Sequence, residues 1–267
     1  VNLQRSRNPD IFDRIEDQVA LTVVKETDAG IVVHGSRILA SLRPISDEIA
    51  VYPTRTHLLG DDAKRQAFSF ALPCATPGMR FMCRESLDLG RSSFDHPLGA
   101  RFEEMDALVF FDNVLVPWER VFLLGDVALC NNMQLATHRH LHAGQQVVTR
   151  NVAKCEFVLG LANLMTETLG SNDQTQVQTM IAEIIENLEV TKACLRTAEV
   201  DAKIDEWGVM CPSELPLQVA RNMFIRMYPR MGEILHLLGS SSLMALPTEA
   251  DMEGPLAEDI SRYLETD

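Results

Sequence analysis

The sequence predicts an α+β protein in two parts: an antiparallel β-domain over residues 1–125 and a helical bundle over residues 126–267. Before residue 125, apolar residues alternate in short runs separated by turn chemistry. Beyond it, the apolar spacing lengthens to the 3.6-residue period of a helix. Neither alternating βαβ units nor a Gly-x-Gly-x-x-Gly turn occurs, so a nucleotide site of the Rossmann type is disfavoured. A P-loop and a Gly-x-Ser-x-Gly elbow are also missing.

The first element is a hairpin, Val19–Val24 and Ile31–Val33 around the turn Asp28-Ala29-Gly30. Ala67–Leu72 alternates around Phe68 and Phe70, and Met79–Cys83 follows the breaker Pro77-Gly78. Ala107–Val116 is the longest strand signal, interrupted at Asp112-Asn113 and closed by Pro117-Trp118. Several short strands of this kind predict a barrel or a sandwich. In the second part, Val147–Leu169 is apolar on two faces, Val148, Cys155, Ala162 and Leu169 on one and Ala153, Phe157, Leu161 and Leu164 on the other. It reads as a buried helix ended by Gly170. Because a chain of this size can hardly cover both faces, the same pattern predicts a dimer or tetramer. Val177, Met180, Ile181, Ile184, Ile185, Leu188 and Leu195 mark a second amphipathic helix, and Leu217–Leu238 a third, bent at Pro229 and ended by Gly239–Ser242. Met180, Met210, Met223, Met227, Met231 and Met244 read as core filler.

Charge excludes some partners. With 24 Lys and Arg against 38 Asp and Glu, the formal charge is −14, and such a balance leaves no extended basic surface for nucleic acid. No apolar run is long enough to span a membrane, and Val1–Arg5 is no signal peptide, so a soluble cytoplasmic protein is expected. The six cysteines are scattered without a Cys-x-x-Cys pair and read as reduced thiols.

Three constellations invite chemistry. His138, His140 and His142 alternate; on a helix only His138 and His142 share a face, and with no carboxylate or Cys at ligand spacing nearby, no metal is assigned. Glu233-Ile-Leu-His236 is half of a di-iron motif whose second copy is missing, which leaves His236 as a helix-face histidine. Asp95-His96-Pro97-Leu98, with Arg101, Glu103 and Glu104, reads as a loop held by ion pairs.

Several motifs, taken together and in order, resemble a family. They are Asp28–Arg37 with Ala50-Val51-Tyr52-Pro53, Ser93–Leu98, Phe111–Glu119, Asp205-Glu206-Trp207-Gly208-Val209-Met210, and Leu238–Glu249. The chain resembles the oxygenase component of 4-hydroxyphenylacetate 3-monooxygenase, the two-component flavin-dependent phenol hydroxylases. The resemblance implies an acyl-CoA-dehydrogenase-like fold, in which this chain supplies the middle β-barrel and an incomplete C-terminal bundle, commonly as a tetramer. It implies reduced FAD delivered by a separate reductase, O2, and a phenolic substrate hydroxylated ortho to its hydroxyl. By matching positions, Gln4, Arg5, Ser6, Arg7 and Ser41 look like FAD contacts and Thr54 like a substrate-pocket hydroxyl. Some members place a His before the first bundle helix to hold the flavin hydroperoxide; Gln145 stands there, with His142 three residues earlier. The family's main phenol-binding groups are expected upstream of Val1 and its last helices beyond Asp267, as in the middle of a longer polypeptide.

Two other readings stay open. 4-Hydroxybutyryl-CoA dehydratase shares the superfamily and ligates an iron–sulfur cluster through a His and a Cys seven residues apart on a bundle helix. Cys155 falls on the Cys position, but Val148 stands where the His is needed. A non-catalytic assembly protein of the same fold is the third reading.

Overall fold

A computed structural model describes residues 20–53 and 63–264. The chain divides into two compact units, Val1–Met133 and Gln134–Asp267.

In the first unit, β1 (Thr22–Thr27), β2 (Gly30–Ser41), β6 (Asp106–Pro117) and β5 (Met79–Cys83) form one antiparallel sheet in the order β1-β2-β6-β5. A second sheet has the order β3 (Glu48–Val51), β4 (Phe68–Pro73) and β7 (Val121–Leu124). The expected hairpin is present, with Thr27 opposite Gly30. Both sheets line one apolar core of Ile31, Val33, Phe68, Phe70, Leu72, Val109, Phe111 and Val116. Within it the Phe70 and Phe111 rings meet edge to face at 6.1 Å, the arrangement that ring quadrupoles favour. Of the expected barrel or sandwich, the described residues show no closed barrel. Among the described residues the two sheets face each other and neither closes on itself, because alternation dictates faces and leaves the stagger needed for closure unspecified.

The interruption at Asp112-Asn113 is a bulge inside one continuous strand. Val33 pairs with Val114 and Gly35 with Phe111, so two residues of β6 oppose one of β2. Asn113 takes a left-handed backbone, φ 51°. Without the extra residue, Val114 and Val116 would point to the opposite face. Instead both are buried, as are Val109 and Phe111 on the other side of the bulge. Between β5 and β6, Arg84 pairs with Glu103, whose other oxygen accepts from Ser86 Oγ (2.9 Å) and the Leu87 amide (3.0 Å). The ion-paired loop is therefore built on Glu103, while Asp95 belongs to a turn in which Ser92 Oγ accepts from the Phe94 amide at 3.1 Å.

A short helix, α1 (Ala63–Gln66), precedes β4, and α2 (Val127–Ala136) follows β7. The second unit consists mainly of α3 (Arg139–Thr168), α4 (Thr175–Val200) and α5 (Glu214–Gly239), which pack on one another. Cys155, Val158, Ala162, Ile184, Leu188, Met231 and Ile234 form the seam. Cys155 is fully buried there, and burial pushes its thiol up to about 11. Arg230 of α5 clamps Glu183 of α4 with Nε to Oε1 at 3.1 Å and Nη2 to Oε2 at 3.2 Å. Gly170 (φ 59°) ends α3 in a Schellman turn, its amide donating to Glu167 O and that of Ser171 to Thr166 O. A two-stranded hairpin, β8 (Lys203–Ile204) and β9 (Met210–Cys211), joins α4 to α5. The short helices α6 (Glu249–Met252) and α7 (Ala257–Leu264) follow α5.

Three expectations change here. The first long helix begins at Arg139, eight residues before the apolar pattern, because its first turns carry polar side chains. Its second apolar face is not buried: Phe157 and Leu164 are 54% and 61% exposed. Met210 and Met244 are exposed and fill no core, whereas Met231 is fully buried. No described helix is long and apolar enough to cross a membrane.

One consequence concerns Gly30. Its φ is 150°, and a Cβ there would lie 2.0 Å from Val116 O on the neighbouring strand. Gly30→Ala is expected to lower the unfolding free energy by roughly 2–4 kcal/mol. Urea denaturation of the two proteins checks this, and an unchanged midpoint would contradict it.

Candidate functional site

Two places in the described residues carry the sequence-derived candidates. In the first unit, Ser41 ends β2 opposite Asp106 and donates its hydroxyl to the Asp106 carboxylate. Alternation alone would put Ile38 and Ser41 on opposite faces, but a second register shift, between Arg37 and Ala40, brings Ser41 to the face that Ile38, Leu108, Phe110 and Met82 share, turned away from the core. Ile38 and Met82 are exposed on it, so an apolar strip runs from the Ser41 hydroxyl across three strands. Such a surface suits a flat, largely apolar ring with polar edges. Gln4, Arg5, Ser6, Arg7 and Thr54 lie outside the described residues.

In the second unit, the histidine triplet straddles the start of α3. His138 precedes the helix with a left-handed backbone, φ 50°. The three rings then diverge: His138 Nδ1 lies 3.0 Å from Asp205 Oδ2, His140 Nδ1 lies 3.0 Å from Gln134 O, and His142 Nε2 lies 3.5 Å from Cys211 Sγ. Gln145 faces elsewhere and donates to Glu199 Oε1 at 3.2 Å. His142 and Gln145, paired by the resemblance, thus engage different partners.

Asp205 is the hub. Its Oδ1 accepts from the Trp207 amide (2.9 Å) and the Val209 amide (2.8 Å), which closes the β8–β9 turn. Its Oδ2 accepts from His138 and from the Cys211 thiol, 3.4 Å away. The His138 bond and the backbone amides hold the Asp205 carboxyl far below the usual carboxylate range. Reciprocally, the Asp205 bond raises the imidazole of His138. Burial, then the neighbouring carboxylate, pushes the Cys211 thiol up, so it is a protonated donor and no activated nucleophile. Beside these groups lies a cavity of about 670 Å³, lined also by Leu141, Val200 and Lys203.

Local spacing had offered no carboxylate or Cys to the histidines. The hairpin brings both, from 67 residues further along the chain for Asp205 and 69 for Cys211. The sequence signal was the turn composition of Asp205–Gly208; nothing marked its destination. Glu233 pairs with Arg230 at 2.9 Å, and His236 lines an apolar groove with Leu161, Leu164 and Leu235.

An antiparallel β unit followed by three long helices defines the acyl-CoA-dehydrogenase-like class. Butyryl-CoA dehydrogenase from Megasphaera elsdenii shares the fold at a TM-score of 0.60 and 15% identity, over 82% of this chain and 53% of that one. So does 4-hydroxybutyryl-CoA dehydratase from N. maritimus, at 0.81 and 20%, over 99% and 51%. Within that class the chain belongs to the 4-hydroxyphenylacetate 3-hydroxylase family: the model of its N-terminal part matches residues 1–123 and that of its C-terminal part residues 130–267. The oxygenase component of 4-hydroxyphenylacetate 3-monooxygenase from Thermus thermophilus is 47% identical over 247 residues, 92% of this chain and 51% of the relative. A crystal structure of such an oxygenase component, complexed with FAD and 4-hydroxyphenylacetate, superposes at a TM-score of 0.88 with 44% identity, over 99% of this chain and 53% of that one. The chain spans about half the length of the curated relatives it matches.

The hub makes separable predictions. Asp205→Ala removes the one oxygen that accepts from both turn amides and should cut amide-exchange protection at Trp207 and Val209 by roughly tenfold or more. Asp205→Asn keeps a side-chain oxygen for these amides and should retain most of it. Equal protection in Asp205→Ala and the parent protein would show that the carboxylate does not hold the turn.

Proposed function

We propose that this chain is part of the oxygenase component of a two-component flavin-dependent monooxygenase, which hydroxylates a phenol of the 4-hydroxyphenylacetate type ortho to its hydroxyl. The observation that carries this reading is the match to one family over nearly the whole chain, together with a relative at 44% identity whose structure holds FAD and 4-hydroxyphenylacetate. When bound, reduced FAD would supply the two electrons with which one atom of O2 enters the ring and the other leaves as water.

The chain's own residues would bind and orient. Gln4, Arg5, Ser6 and Arg7 would hold FAD, with the guanidinium of Arg7 suited to phosphate oxygens through charge-assisted bonds. Ser41 fits as an edge contact, since its hydroxyl stands beside the apolar strip of Ile38 and Met82. Thr54 would face the substrate. The chemistry needs water excluded around the reacting atoms, which an apolar wall favours. His142 is committed to Cys211 and Gln145 to Glu199 in this structure, so either would have to exchange partners to act at the flavin. A separate reductase would deliver the reduced cofactor, consistent with the name oxygenase component carried by the relatives.

The dehydratase reading finds no support in the bundle. Cys155 and Val148 are both fully buried among apolar neighbours, and Val148 offers no ligand atom.

Assembly follows from the uncovered face of α3. Phe157 and Leu164 would be buried against further copies of the polypeptide in a dimer or tetramer. Replacing both by Glu should shift the full-length protein towards monomer in sedimentation velocity; an unchanged distribution would place the interface elsewhere.

The activity is tested on the full-length polypeptide with a generic flavin reductase, NADH and a panel of phenols. Catechol formation is expected. Arg7→Ala should weaken reduced-FAD binding about tenfold or more, and Ser41→Ala by less, since a single neutral hydrogen bond is lost. Flavin binding with oxygen consumed only to peroxide would show the substrate class to be wrong. Failure to bind flavin at all would leave the non-catalytic reading.

A further inference from the structure

We propose that His138, Asp205 and Cys211 form a binding site for a borderline-soft divalent cation of the zinc class. Three ligand atoms of different kinds converge, imidazole nitrogen, carboxylate oxygen and sulfur, all within 4.8 Å of one another. Zinc prefers these donors, and bonds of about 2.0–2.3 Å in a tetrahedron put neighbouring donors about 3.3–3.7 Å apart. The pairs here measure 3.0 Å for His138 Nδ1 to Asp205 Oδ2 and 3.4 Å for Cys211 Sγ to Asp205 Oδ2. These two pairs differ from that spacing by a few tenths of an ångström, and the His138–Cys211 pair lies within 4.8 Å, so side-chain adjustment can close the three donors around an ion.

Each donor is already aimed. Asp205 spends Oδ1 on two backbone amides of its own turn, which presents Oδ2 to the other groups. Cys211 is fixed by pairing with Lys203 across the β8–β9 hairpin, and His138 by a left-handed backbone, a conformation non-glycine residues rarely adopt. Such support from surrounding groups is what makes metal ligands hold their geometry. His142 Nε2, 3.5 Å from the sulfur, can donate a hydrogen bond to a coordinated thiolate. The cavity beside the cluster provides an entry path and room for a water as fourth ligand. Asp201 and Glu206 outnumber Lys203 on its wall, which favours a cation.

The proton balance is simple. Binding displaces the Cys211 thiol proton to solvent, and His138 must present Nδ1 without a proton, carrying it on Nε2 instead. Two hydrogen bonds to Asp205 are exchanged for bonds to the metal, so the metal-free cluster is fully bonded too. The ion would pin the β8–β9 hairpin to the start of α3.

The test uses full-length polypeptide stripped with a chelator and titrated with Zn²⁺ alone, then with Co²⁺ as a spectroscopic substitute. One equivalent per chain and a thiolate-to-cobalt charge-transfer band are expected. Cys211→Ser should abolish the band and weaken zinc binding at least about tenfold, while Cys194→Ser changes neither. In the unsubstituted protein, zinc should protect Cys211 from alkylation, read by peptide mapping; this arm needs no variant to fold. Zinc binding that leaves Cys211 as reactive as before, or a cobalt spectrum unaltered by Cys211→Ser, overturns the proposal.

Discussion

The pairing of β2 with β6 is the constraint on which the first unit rests. Both strands are twelve residues long, and each has a further neighbour, β1 on one side and β5 on the other. Their register decides which side chains enter the core shared with the second sheet. One extra residue at Asp112-Asn113 keeps Val114 and Val116 in phase with Val109 and Phe111. With the second register shift, between Arg37 and Ala40, the same pairing turns Ile38, Leu108 and Met82 outward on the face of Ser41, so the core and the candidate cofactor face are two sides of one sheet.

In the second unit, long helices are held by a narrow seam instead of a broad core. Small residues, Cys155 and Ala162, let α3 approach its neighbours, and Ile184, Met231 and Ile234 fill the space between. The Arg230–Glu183 clamp lies at the partly exposed edge of this seam; its two parallel contacts fix orientation more than they add stability. A seam this narrow leaves apolar side chains of α3 on the opposite face, Phe157 and Leu164, exposed.

Much of the fold was legible because period and punctuation are local. The hairpin at Asp28–Gly30, the three long helices and the Gly170 stop follow from neighbours in sequence. The start of α3 was not, because Arg139–Gln146 carries no apolar stripe and is helical through continuity with the turns that follow. Closure of the sheets was illegible too, since register across distant strands sets it. The site divides in the same way. Motif resemblance singled out Ser41, His142 and Gln145, yet the partners of His142 and Gln145 are Cys211 and Glu199, 69 and 54 residues away. The three histidines looked alike in sequence; a single left-handed residue at His138 separates their surroundings.

Cys155 has a use that its chemistry alone does not suggest. Fully buried and held protonated by its apolar surroundings, it can meet a thiol reagent only when α3 parts from its neighbours. Cys83, exposed at the end of β5, reacts without any such opening. The ratio of the two labelling rates, corrected for their intrinsic reactivities, is a clock for the breathing of the bundle. The protein thus carries its own gauge of how often the helical seam comes apart under native conditions.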